Sequence, residues 1–160
     1  NILWMLLTAR PDLLPIDLKR QGRAEVHIPL FYPTDEGEIR QMFVVLAKKM
    51  KSSLAPEDIP PIPQTGLLSG ADIEGLVGRA LRLSLLAGGD TISKASLAEV
   101  VGQFLPSIQG AEKEMQEVAA ILECTDRQFL PPHIARQLDG PGRSKLQLRF
   151  AELRRIVEGN

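Results

Sequence analysis

Beyond Thr34 the chain repeats one pattern five times: apolar residues three and four apart, framed by helix start and stop signals. Ile39, Phe43, Leu46 and Met50 form the first stripe, Ile73, Leu76, Val77 and Ala80 the second, and Leu97, Val100, Val101 and Phe104 the third. Ala111, Met115, Val118 and Leu122 make a fourth, and Leu146, Phe150, Leu153 and Val157 a fifth. This spacing lines up one side of a helix, so most of the chain is expected to fold as amphipathic helices that bury those sides. The ends are legible too. Thr34 is placed to cap the first helix, with Asp35 and Glu36 in its first turn, and Lys48, Lys49 and Lys51 lie at its end. Ser69 and Asp72 have the spacing of a capping box, and Gly88-Gly89 stops the second helix. The third begins near Ser93 and stops at Pro106. The four prolines of "APEDIPPIPQTG" exclude regular helix and predict a stiff connector across the surface. "FLPPHIARQLDGPGR", between the last two stripes, allows a short helix at most.

The first third reads differently. "ILWMLL" is a short, continuous apolar run, the pattern of a strand covered on both faces, although periodicity alone does not separate it from a buried helix. In "AEVHIPL", Val26, Ile28 and Leu30 alternate with Glu25, His27 and Pro29, the period of a half-buried strand. Two strands are not a stable sheet, and the chain starts at Asn1 directly on the first of them. The expectation is therefore a piece of a longer protein.

Composition excludes several function classes. Nineteen basic and twenty acidic residues leave a net charge of -1, without the positive field that nucleic-acid binding draws on. The opening apolar run is too short for a membrane span and has no basic leader. One cysteine, Cys124, cannot form an internal bridge, which fits a reducing compartment, with the cytoplasm as the default. Two distant histidines, His27 and His133, and that one cysteine do not make a zinc site, and Cys124 has no neighbouring histidine to activate it as a nucleophile. Residues 143–160 carry five basic side chains against two acidic ones, which reads as the solvated face of the last helix.

Three separated stretches, taken in order, resemble one family. They are the apolar run into Thr8-Ala9-Arg10-Pro11-Asp12 with "LLPIDLKRQGR" and "EVHIPL", then "SGADIEGLVGRA", then "ISKASLAEVVGQFLPS". Together they look like the second half of an AAA ATPase module. The resemblance implies a mainly α chain: residues 1–33 as the end of an α/β nucleotide-binding core with remnant strands, 34–107 as a helical lid, and 108–160 as a C-terminal helical extension without a family signal. It also implies ATP and Mg²⁺ as cofactors of the intact protein. Subunits of the family form rings, commonly hexamers, that work on a macromolecular substrate. Arg20 falls where the family carries an arginine finger that enters the neighbouring subunit's ATP site, and Arg23 matches a second arginine used there. Gly70 and Ala71 match the place where the lid backbone approaches adenine and ribose.

The departures matter as much. The family's polar sensor residue, usually an Asn, is here Ala9, with Thr8 as a partial substitute. The Phe-Asp-Arg that usually follows the "GR" is missing. The chain has neither a G-x-x-x-x-G-K-[ST] phosphate loop nor an apolar strand ending in Asp-Glu, so these residues by themselves are expected to be inactive, with the Mg²⁺ ligands outside them. The alternative reading is a nonenzymatic helical assembly module with a degenerate nucleotide site.

Overall fold

The computed structural model describes residues 2–20, 22–62, 66–106 and 110–159. Its regular elements are helical: α1 (Glu36–Lys49), α2 (Gly70–Leu86), α3 (Lys94–Gly102), α4 (Gly110–Glu123), α5 (Pro132–Ala135) and α6 (Gly142–Glu158), with short 3-10 turns between them. The fold is mainly α, as the five stripes predict. The chain divides into two compact units, Tyr32–Ser107 and Asn1–Phe31 with Ile108–Asn160.

The Tyr32–Ser107 unit is built on α2, which packs against α1 and α3. Its core joins Ile39, Phe43 and Ala47 of α1 to Ile73, Leu76, Val77 and Ala80 of α2 and Leu97, Val100 and Val101 of α3. Leu46, Met50 and Phe104 pack at its margin. The cap of α1 is Asp35, not Thr34: its carboxylate accepts the Glu38 amide at 3.0 Å. An N-cap oxygen reaches the amides two or three residues on, and Thr34 lies four before Glu38, one position too early. The proline-rich connector contributes to the core as well as crossing the surface, since Ile59 and Ile62 are buried. Its residues 63–65 lie outside the described residues.

The end of α2 is a Schellman motif. Gly88 takes a φ of +85°, the Gly89 amide donates to the Ser84 carbonyl and the Gly88 amide to that of Leu85. Buried Ser84 in turn accepts the Ser93 amide at 2.9 Å, where α3 begins, and buried Ser52 accepts the Ile92 amide at 3.1 Å. Both buried hydroxyls are therefore satisfied, and they pin the α2–α3 connection.

In the second unit, α4 packs on α6 around Met115, Val118 and Leu153, with Ala111, Leu122, Leu146, Phe150 and Val157 closing the rim. Two of the five cations of the basic α6 face are in ion pairs. Arg149 makes a fork to Glu114 at 2.7 and 2.8 Å, and Arg154 reaches Glu158 at 2.7 Å.

Neither expected strand is formed among the described residues. Strand geometry is held by hydrogen bonds to a neighbouring strand, and the described residues supply none. Trp4 is 83 % exposed, and the rest of Ile2–Leu7 is exposed with it. The alternation at 25–30 persists but inverted: Val26, Ile28 and Leu30 face out, while His27 is half-buried and Pro29 buried.

Candidate functional site

Arg20 and Arg23 sit on a tight turn. The Arg23 amide donates to the Arg20 carbonyl at 3.2 Å, and the Ala24 amide donates to that of Leu18 at 3.0 Å. Gly22, between the arginines, has a φ of +80°, the left-handed conformation that glycine adopts without a Cβ penalty. The "RQGR" spacing thus encodes a turn that presents both arginines on one loop. Arg20 is 69 % exposed, and its guanidinium meets Asp17 Oδ1 at 3.3 Å. Arg23 is exposed and donates through Nη1 to the Asp17 carbonyl at 3.0 Å. Neither guanidinium is engaged by a bidentate carboxylate, so both retain donors that an anion can use.

Thr8 is exposed, and its hydroxyl accepts the Arg10 amide at 3.0 Å. Ala9, beside it, offers only a methyl. Arg10 itself is held by two carboxylates: Nε and Nη2 bond Asp12 at 3.0 and 2.8 Å, and Nη2 also meets Glu158 at 2.7 Å. The Arg10 hydrogen bonds hold the Asp12 carboxyl below the usual carboxylate range. Arg154 and then Arg10 do the same for Glu158.

Gly70 and Ala71 belong to the other unit, at the start of α2. The Ser69 hydroxyl accepts the Asp72 amide at 3.1 Å and the Asp72 carboxylate accepts the Ser69 amide at 2.8 Å, completing the capping box. A Cβ on Gly70 would lie 3.4 Å from the terminal methyl of Met42, an ordinary van der Waals contact. Ala71 is exposed. Thr8, Arg20 and Arg23 share one unit, and Gly70 and Ala71 share the other. No group of three or more His, Cys, Asp or Glu among the described residues is arranged to hold a metal ion.

Sequence reasoning passed over Lys19. Its ammonium lies 2.8 Å from the Glu123 carboxylate, and its side chain is only 17 % exposed. His27 is likewise more engaged than its place in the alternation suggests. Its amide donates to Thr125 Oγ1 at 3.0 Å, and its ring nitrogens lie 2.8 and 2.7 Å from the carbonyls of Glu123 and Ala24. Ala24 is three residues from His27, but no local signal marks Glu123 and Thr125, which lie 96 and 98 residues beyond it along the chain.

No family model and no solved structure matches the chain. Curated proteins do. The vesicular-fusion protein SEC18 of Saccharomyces cerevisiae is 37 % identical over 84 residues, half of this chain and 11 % of that protein. The vesicle-fusing ATPase of Dictyostelium discoideum is 29 % identical over 133 residues, 81 % of this chain and 18 % of its own length. The ATP-dependent zinc metalloprotease FtsH 3 of Sphaerobacter thermophilus is 32 % identical over 140 residues, 85 % of this chain and 28 % of its own length. The chain thus spans less than a third of each of these relatives. Their similarity, added to the three ordered motifs and the mainly helical fold, makes this chain a member of the AAA ATPase family, matching the C-terminal part of the module.

Proposed function

We propose that the intact protein binds and hydrolyses ATP in an oligomeric ring, and that this chain supplies the arginine finger. Arg20 serves the neighbouring subunit's nucleotide, Arg23 assists it, and Gly70 and Ala71 line the adenine side of the chain's own site. The observation that carries the reading is the turn with two exposed guanidinia, neither locked into a carboxylate fork. Phosphoryl transfer spreads negative charge over the γ-phosphate oxygens, which a planar guanidinium matches with two parallel donors. In other nucleotide hydrolases such a finger is worth on the order of 10³ to 10⁵ in rate. Arg20's exposed contact to Asp17 is of the weak class, so exchanging it for phosphate costs little. These residues hold neither the phosphate loop nor the Mg²⁺ carboxylates.

The test is Arg20→Ala in the full-length protein. Turnover should fall at least about tenfold with ATP affinity nearly unchanged, because the interaction grows in the transition state. Mixing this variant with subunits that lack the phosphate-loop lysine should restore part of the activity. Unchanged turnover in assembled rings defeats the finger reading.

The second reading, a nonenzymatic assembly module, draws on Ala9. A methyl cannot orient water, and the Thr8 hydroxyl already accepts the Arg10 amide. Ala9→Asn discriminates: a positioned polar contact should raise a slow turnover by about 10- to 100-fold. If the protein remains inert with Asn at position 9, the assembly module is favoured.

A further inference from the structure

Lys19 and Arg20 are consecutive cations with opposite fates. Arg20 projects into solvent, whereas Lys19 is drawn onto Glu123, the last residue of α4, at 2.8 Å. On the other side of the arginine turn, His27 reaches the same helix end: its amide bonds Thr125 Oγ1 at 3.0 Å and its Nδ1 lies 2.8 Å from the Glu123 carbonyl. The loop is therefore fastened before Arg20 and after Arg23, at one place. A helix C-terminus is chemically suited to this, because its last carbonyls lack intrahelical partners and carry partial negative charge that favours a cation and a ring N–H.

We propose that the C-terminal end of α4 positions the arginine loop, with Lys19 and His27 as positioning residues and Glu123 and Thr125 as their anchors. The inference rests on the finger reading of Arg20. It gives part of residues 108–160 a role in the reaction. A guanidinium on a free loop would have to be ordered in each transition state, and fastening the loop beforehand removes that cost.

The test uses the full-length protein with Lys19→Ala, Thr125→Val, their combination, and Lys19→Arg as the conservative control. Hydrogen exchange at the Arg23 and Ala24 amides, which close the turn, reads the fastening directly. The double variant should exchange at least about tenfold faster there while the α4 and α6 amides keep their protection, and Lys19→Arg should remain near wild type. Steady-state turnover of the double variant should fall at least about threefold with the ATP KM unchanged, and Lys19→Arg should recover most of it. Unaltered exchange at Arg23 and Ala24 overturns the proposal. So does faster exchange with wild-type turnover in a protein whose Arg20→Ala variant is impaired. If Arg20→Ala itself leaves turnover unchanged, the finger reading fails and the catalytic part of the proposal falls with it, while the exchange result still decides whether α4 holds the loop.

Discussion

Two leucines of α6 separate packing from propensity. Leu153 is fully buried, seated against Met115 and Val118 of α4 with Phe150, Val157 and Leu122 around it. Leu148, on the opposite face of the same helix, is 69 % exposed. Leu153→Ala removes three carbons from a closed site, a transfer loss of about 2.4 kcal/mol at roughly 0.8 kcal/mol per carbon. A residual cavity adds to this, and buried Leu→Ala changes span about 2 to 5 kcal/mol. The neighbouring Met115 is flexible and can collapse into part of the space, which places the expected cost near 3 kcal/mol, toward the lower end of that range. Leu148→Ala should stay within about 0.5 kcal/mol of wild type, because exposed substitutions of one good helix former by another change little. The assay is urea denaturation of both variants by far-ultraviolet circular dichroism, with amide exchange in α4 and α6 as the local readout. Equal costs for the two substitutions, or a cost below about 1 kcal/mol for Leu153→Ala, would refute the assignment of the α4–α6 core.

Ser69→Ala should cost about 1 kcal/mol by leaving the Asp72 amide uncapped, seen as faster exchange in the first turn of α2, and Ser69→Asn should recover most of it. Gly22→Ala should strain the arginine turn by about 1 to 2 kcal/mol, because the left-handed φ crowds a Cβ, and its mark is faster exchange at the Arg23 and Ala24 amides. Asp12→Asn tests the acid limb. Hydrogen bonds from Arg10 lower the Asp12 carboxyl in the folded state, so the stabilisation is full above the unfolded value of about 3.9 and disappears as pH falls through the folded value. Urea midpoints of wild type and variant should differ from pH 5 to 7 and converge below about pH 4; a gap that widens on acidification contradicts the Arg10–Asp12 assignment.

What the sequence determined by itself is local. The five stripes place α1, α2, α3, α4 and α6, and Ser69-x-x-Asp72, Ser93 and Gly88-Gly89 mark their ends, because periodicity and capping act within a few residues of chain. The turn between Arg20 and Arg23 was implicit in the same way, since only glycine takes its φ without strain. Other features needed distant partners. "ILWMLL" and "AEVHIPL" have the composition of strands, yet a strand exists only beside another, and these residues do not form one. Lys19 and His27 look like ordinary polar residues until the end of α4, about a hundred positions later, comes within hydrogen-bond reach. That the segment before Phe31 and the helices after Ile108 share one unit was likewise decided in three dimensions. Side-chain spacing encodes which face of a helix is apolar, but the partner for that face, and for the cation beside it, is selected only when the whole chain has packed.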